Sequence, residues 1–293
     1  MDQLELANRF DEQRPRLRAV AYRILGSLNE ADDAVQEAWL RLSGSDADQI
    51  KNLAGWLTTV TSRVCLNMLR AGRTQRLEPL EVYLPEPIVA SGPGADPEHD
   101  ALLADQVGIA LQVVLEALPP AERVAFVLHD MFAMPFGEIA QMLERSPDAT
   151  RQLASRARRR VRSAAPAPDP DLTRQRRAVD AFFAAAHEGD IDALLAVLDP
   201  DVVLRSHTRD GILELHGAEQ AARGATAAQR RYGPSVRAVL VHGAAGVIAF
   251  DRDANPLAIL AFTVANDHIV TLDIYNDPEL VTRLIAAPVD VGE

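Results

Sequence analysis

The sequence predicts a multidomain chain: two all-α segments followed by an α+β unit. Three observations predict it. At 293 residues the chain is too long for one small core. Two proline-rich breaks interrupt it. Apolar residues recur at helical spacing before the second break and largely in alternation after it. The resulting boundaries are 1–76, a linker at 77–104, 105–164, a second linker at 165–173, 174–286 and a tail at 287–293. Proline removes an amide donor and biases its predecessor away from helix. Pro79, Pro85, Pro87, Pro93 and Pro97 mark the first break, and "APAPDPD" from Ala165 to Asp171 marks the second.

Composition narrows the function classes. No apolar run reaches the roughly 18 residues of a membrane span, so no membrane partner is expected. The opening "MDQLELANRF" is polar and acidic, unlike a secretory signal. Cys65 is the single cysteine, which excludes an internal disulfide framework and argues against a metal-ligand cluster. No metal and no cofactor is expected, and the cytoplasm is the expected compartment.

The first segment reads as helix throughout. "NEADDAVQEAWLRL" places Asn29 as a cap, with Glu30, Asp32 and Asp33 at the positive end of the helix dipole. Ala34, Val35, Ala38, Trp39 and Leu42 form an apolar stripe, leaving Asp33, Gln36 and Glu37 on the other side. A second helix is expected over 54–71 with Gly72 as its stop. Leu57, Val60, Val64 and Met68 are its buried stripe. Thr59, Arg63, Asn67 and Arg70 share a polar face, followed by Arg73 and Arg76.

The second segment carries three helical patterns. Val124, Val127, Leu128 and Met131 follow Pro119-Pro120. Phe136, Ile139, Ala140 and Leu143 make a short second helix. "ERSP" then supplies Ser146 as cap and Pro147 at the first helical position. The third helix holds six arginines and no acid between Arg151 and Arg162, in a chain of formal net charge -12. On a 100° wheel Leu153, Ala157 and Val161 form a narrow seam, with Thr150 and Ala154 beside them. Arg151, Gln152, Ser155, Arg156 and Arg159 lie opposite. Arg suits bidentate contact with guanine, Gln with adenine, and Ser with base or phosphate. Short helix, tight turn and basic helix is the order of a helix-turn-helix. Acidity elsewhere does not oppose this, because only the field at the groove must be positive.

These segments carry a resemblance. "DDAVQEAWLRL" followed by "GWLTTVTSRVCLNMLR" resembles region 2 of the bacterial extracytoplasmic-function sigma factors. "ALPPAERVAFVLHDMFAMPFGEIAQML" with "ATRQLASRARRRV" resembles region 4. "VYLPEP" is similar to the Trp-Leu-Pro-Glu-Pro linker of the subgroup with a C-terminal SnoaL-like (NTF2-like) domain, with Tyr83 in place of Trp. "NDPEL" is similar to that subgroup's Asn-Pro-Asp-Lys-Leu motif. "RDGIL" keeps only Asp210 and Gly211 of its Asp-Gly-Gly-Gly-Lys motif.

The resemblance implies roles. Asp33, Gln36 and Glu37 would dock on the β′ clamp of core RNA polymerase, whose β subunit is a further partner. Arg63, Asn67, Arg70 and Arg73 would hold the opened −10 element, with Asn67 near the flipped base. Arg151, Gln152, Ser155 and Arg156 would read the −35 element, and Arg159 and Arg162 would hold phosphate. The regulatory set would be Tyr83, Leu84, Pro85, Glu86 and Pro87 in the linker, with Asp210, Gly211, Asn276, Pro278 and Leu280 in the C-terminal domain.

For that domain the sequence predicts helices at 172–187 and 190–198 and two hairpins, turning at Gly243–Gly246 and Asn266–Asp267. Val236, Ala238 and Leu240 alternate, so one buried sheet face is expected, in an NTF2-like cone. Relatives of this domain use a buried Asp or His for proton transfer, which makes His207, His216, His242, His268 and Asp273 candidates. A small-molecule ligand in the cone is a further partner that the resemblance allows. The reading is an alternative sigma factor regulated in cis, not an enzyme. The alternatives are a stand-alone helix-turn-helix regulator and a SnoaL-type enzyme with DNA-binding appendages.

Overall fold

The computed structural model describes residues 3–46, 49–75, 86–90, 109–164, 169–208, 211–233 and 235–286. The chain divides into two compact units. One comprises Met1–Glu86 with Leu111–Ala164, the other Pro87–Ala110 with Ala165–Glu293.

The first unit is helical. Helices α1 (Gln3–Leu25), α2 (Leu28–Ser43) and α3 (Leu53–Gln75) form a bundle. The apolar stripe of α2 is buried as expected at Ala34, Val35, Ala38 and Leu42, while Trp39 is half-buried and packs on Phe10 at 5.0 Å. The cap differs from the expected one. Ser27, not Asn29, accepts from the Glu30 amide at 3.3 Å. Both residue types cap well, and the extended backbone of Ser27 decides the position. Helix α3 runs through Gly72 to Gln75. A mid-helix glycine costs about 1 kcal/mol, too little to end a helix held by its packing.

Helix α4 (Ile109–Glu116) is followed by α5 (Pro120–Phe126), which continues as a π-helical turn, Val127–Met131. Helices α6 (Phe136–Leu143) and α7 (Pro147–Ala164) complete the unit. Ser146 caps α7 by accepting from the Ala149 amide at 3.2 Å. Arg123 ties this half to the first bundle: its guanidinium donates to the Ile24 carbonyl at 2.9 Å and meets Glu116 at 2.9 Å. A Cβ on Gly26 would come within 2.1 Å of the Glu116 carboxylate. Burial pushes the Glu116 carboxyl up to about 7, against the pull of Arg123.

The second unit is α+β. Helices α8 (Leu172–Glu188), α9 (Ile191–Val197) and α10 (Ala218–Tyr232) pack on a sheet, and α11 (Pro278–Ala286) follows its last strand. The strands are β1 (Val89–Ala90), β2 (Leu198–Thr208), β3 (Gly211–His216), β4 (Ser235–Val241), β5 (Ala244–Phe250), β6 (Pro256–Ala265) and β7 (His268–Tyr275). Their order is β1-β4-β5-β6-β7-β2-β3, antiparallel except for the β2–β7 pair. Leu198 opens β2, so α9 stops one residue short of the expected 198.

The hairpin turns are tight. His242 and Gly243 both have positive φ, as do Asn266 and Asp267, which suits the twist of two-residue hairpins. The first turn is therefore shorter than Gly243–Gly246. The alternation in β4 also selects the other face. Val239 and Val241 are buried, whereas Val236 and Ala238 are exposed. Strands β5 and β6 are buried on both faces. The core joins Val179, Phe182, Leu194, Leu204, Leu260 and Phe262.

Candidate nucleic-acid interface

Helix α7 buries Thr150, Leu153, Ala154 and Ala157 against α5 and α6. Arg151, Gln152, Ser155, Arg156, Arg159 and Arg162 are exposed. The wheel therefore divides as the sequence indicates, with Val161 half-buried at the end of the seam. Small side chains at the seam let the helix sit close while its wide face stays open.

The arginines are not equivalent. Glu122, buried on α5, receives Arg156 Nε at 3.0 Å and Arg160 at 2.9 Å. Arg156 is anchored through Nε, so the fork that would meet a guanine points away from the anchor bond. Arg158 donates to Asp130 at 2.6 Å. Arg151 pairs with Asp148 in the first turn and lies 5.8 Å over the Phe136 ring. Arg159 and Arg162 meet no carboxylate among the described residues. Sequence reading did not identify Glu122 or Asp130, because those pairs span 34 and 28 residues.

On α2, Asp33 and Gln36 are exposed and Glu37 pairs with Arg41 at 2.9 Å. Asp32, beside them, is held by Arg18 at 2.7 Å. On α3, Arg63, Asn67 and Arg70 are exposed at three- and four-residue spacing, hence on one face. The side chain of Arg73 lies outside the described residues.

The linker motif is described only from Glu86; Tyr83, Leu84 and Pro85 lie outside the described residues. In the first unit the Glu86 amide donates to the Gly26 carbonyl at 2.8 Å. Its carbonyl accepts from Tyr22 Oη at 2.6 Å, and its carboxylate accepts from the Leu28 amide at 3.1 Å. In the second unit Pro87 and Ile88 are buried, and β1 pairs Val89 with Val241 and Ala90 with Leu240. The His242 amide donates to the Ile88 carbonyl at 2.9 Å, and the Ile88 amide meets His242 Nε2 at 3.4 Å.

Asp210 lies outside the described residues, while Gly211 starts β3 at φ +125°. The Asn276 amide donates to the His207 carbonyl at 3.1 Å, and its side chain meets Ser206 at 3.3 Å. Pro278 opens α11, whose first amides at Glu279 and Leu280 are capped by Asp277.

The β2–β7 register brings His207 and Asp273 together. His207 Nε2 lies 3.1 Å from Asp273 Oδ1, which also receives Arg205 at 3.1 Å. Tyr275 stacks on the imidazole at 4.6 Å. His207 Nδ1 and Asp273 Oδ2 are buried without hydrogen-bond partners among the described residues. His216 instead pairs with Glu214 at 2.8 Å and borders a separate groove of about 470 Å³ beside Leu195 and Pro200. His268 Nδ1 lies 2.8 Å from the Asn266 carbonyl in its own turn. No helix among the described residues is long and apolar enough to cross a membrane.

Comparison with known proteins accounts for both helical halves. Residues 10–75 match the family model of Sigma-70 region 2, and residues 109–161 match that of Sigma-70, region 4. The chain is 39% identical over 248 residues to the ECF RNA polymerase sigma factor SigJ of Mycobacterium tuberculosis, covering 81% of this chain and 78% of the relative. It is 36% identical over 243 residues to the probable ECF RNA polymerase sigma factor SigI of the same species, covering 83% and 79%. The crystal structure of M. tuberculosis SigJ superposes with a TM-score of 0.77 at 34% identity, covering 94% of this chain and 98% of that one. This last likeness spans the α+β unit as well. The chain belongs to the extracytoplasmic-function RNA polymerase sigma factors, in the group typified by SigJ.

Proposed function

We propose that this sigma factor divides promoter recognition between its two helical modules and is regulated in cis by its α+β unit. Asp33, Gln36 and Glu37 dock on the β′ clamp of core polymerase, because a rigid helix offers carboxylates and an amide to a basic partner. Arg63, Asn67, Arg70 and Arg73 receive the opened −10 strand: Asn67 can read a base edge and the arginines hold phosphates. Arg151, Gln152, Ser155 and Arg156 read the −35 duplex, Arg159 and Arg162 hold its phosphates, and the β subunit supports this module. The observation that carries the reading is the open face of α7, backed by a seam of small buried residues. The chain works in the cytoplasm and supplies binding energy for strand opening, while the polymerase performs the chemistry.

The cis regulation runs through the linker. The consecutive residues Glu86 and Pro87 belong to different units, and β1 adds the linker to the edge of the sheet at β4. The described part of the linker meets Val241 and His242; Asn276 instead anchors to β2. Reconstituted run-off transcription tests the proposal. Core polymerase plus this chain initiates from its own promoters, and Ile88→Pro, which removes the amide facing His242, changes the transcript yield. Equal yields from both proteins defeat the regulatory part alone.

A further inference from the structure

Four arginines from three elements converge at one corner of the α+β unit. Helix α10 ends in Arg230, Arg231 and Tyr232, followed by Gly233 at φ +54°. Arg252, in the β5–β6 turn, lies over that glycine, where an added Cβ would stand 2.9 Å from its Nε. Arg237 projects from β4, with its guanidinium 5.2 Å over the Phe250 ring. The β4–β5 register pairs Ser235 with Phe250 and Arg237 with Ile248, which fixes that stacking. Arg231 lies 5.3 Å over Tyr232, a ring that is itself 38% exposed.

All four guanidiniums are exposed, and none meets a carboxylate among the described residues. That runs against the composition. In a chain with 42 acids and 30 Lys plus Arg, a surface arginine easily finds a partner. Arg18, Arg41, Arg174 and Arg223 all do. Two acids border the corner. Asp251 is committed to its own turn, accepting from the Asp253 amide at 2.9 Å and the Asn255 amide at 2.8 Å. Amide donors favour the charged form of Asp251, so two carboxylates face four guanidiniums. The helix C-terminus explains a preference for Arg230 and Arg231, but not Arg237 on a strand or Arg252 in a turn. Stacking on rings holds guanidiniums in place while their edge N–H groups stay free for anions.

We propose that this corner is a docking surface for the phosphate backbone of duplex DNA, additional to α7. It rests on the sigma-factor reading only for the choice of DNA as the polyanion. The chain runs on from α7 into the α+β unit that carries the corner, so DNA held by α7 would be presented to the corner at high effective concentration. Several guanidiniums carried by three separate elements suit consecutive phosphates better than a single small anion. They add affinity without sequence preference.

The test uses the full chain and a random-sequence 40-base-pair duplex, with binding followed by fluorescence anisotropy between 50 and 200 mM salt. The slope of log affinity against log salt falls by about 0.9 per lost contact, hence by about 2.7 for Arg230→Gln, Arg231→Gln and Arg252→Gln together. Lysine at the same three positions retains the charge and restores most of the slope. An unchanged slope in the glutamine variant overturns the proposal, as does a slope lost equally in the lysine variant, which would show that the slope does not follow charge at these positions. Tight binding of poly-glutamate at this corner in place of duplex also overturns it, in favour of an acidic protein partner. Arg159→Gln is measured in parallel. If it lowers the slope while the triple variant does not, the corner fails and the role of α7 stands. If the wild-type chain does not bind the duplex at all, both fail.

Discussion

Glu122→Gln isolates what the buried carboxylate does for Arg156, one of the proposed −35 readers. Glu122 is 5% exposed and holds Arg156 through Nε at 3.0 Å and Arg160 at 2.9 Å. The two arginine side chains are 47% and 54% exposed, so each pair alone contributes only about 0.2–1 kcal/mol of stability. The larger effect is on recognition. Immobilising a rotamer-rich side chain at an interface costs about 0.5–1.5 kcal/mol, and the anchor bond has met that cost for Arg156 before DNA arrives. Glutamine keeps the shape but removes the charge that holds both guanidiniums. Affinity for matched −35 duplex is then expected to fall roughly fivefold, as about 1 kcal/mol implies. Scrambled duplex holds its affinity, because the overall positive field is not reduced. The assay is competition anisotropy, with matched sequences selected by the wild-type chain from a random library. A matched-to-scrambled ratio equal to wild type refutes the positioning argument, whatever happens to stability.

Further outcomes follow from other sites. Arg159→Ala, at an arginine that meets no carboxylate among the described residues, should weaken matched and scrambled duplex alike and lower the salt slope by about 0.9. Asp33→Lys together with Glu37→Lys should reduce binding to core polymerase at least tenfold in pull-down titrations while leaving duplex binding by α7 intact. Glu116 gives a pH dependence. Its carboxyl is raised from 4.5 to about 7 by burial, so its contribution to stability is complete below the unfolded value and is lost as pH rises through about 7. The urea midpoint of the first unit should therefore drop between pH 5.5 and pH 8. The upper bound over that interval is about 2 kcal/mol, and Glu116→Gln should flatten the drop. A midpoint that rises over that interval would mean that the ion pair with Arg123 outweighs desolvation.

The features legible in the sequence are those set by local chemistry. Ser146 and Pro147 start α7 because cap and proline preferences act within one turn, and the seam at Leu153 and Ala157 follows from periodicity. The turn at Asn266 and Asp267 is equally local. Features fixed by distant chain were not legible. Glu122 meets Arg156 across 34 residues, and Arg205 joins His207 and Asp273 only through the parallel β2–β7 register. A period of two marks a strand but not which face is buried, so Val239 and Val241 turned inward where Val236 and Ala238 had the same claim. The addition of β1 from the linker to β4 carries no periodic signal at all, since two paired residues are too few. Gly72 shows the converse: a strong local stop signal was overridden by the packing of α3.

The most direct measurement of the central claim is transcription from the native genome with purified core polymerase, with and without this chain, and mapping of the transcript 5′ ends. The account predicts a discrete set of start sites that appears only with the chain and shares sequence about 10 and 35 base pairs upstream. It is contradicted if the chain fails to join core polymerase, or joins it and leaves the start sites unchanged.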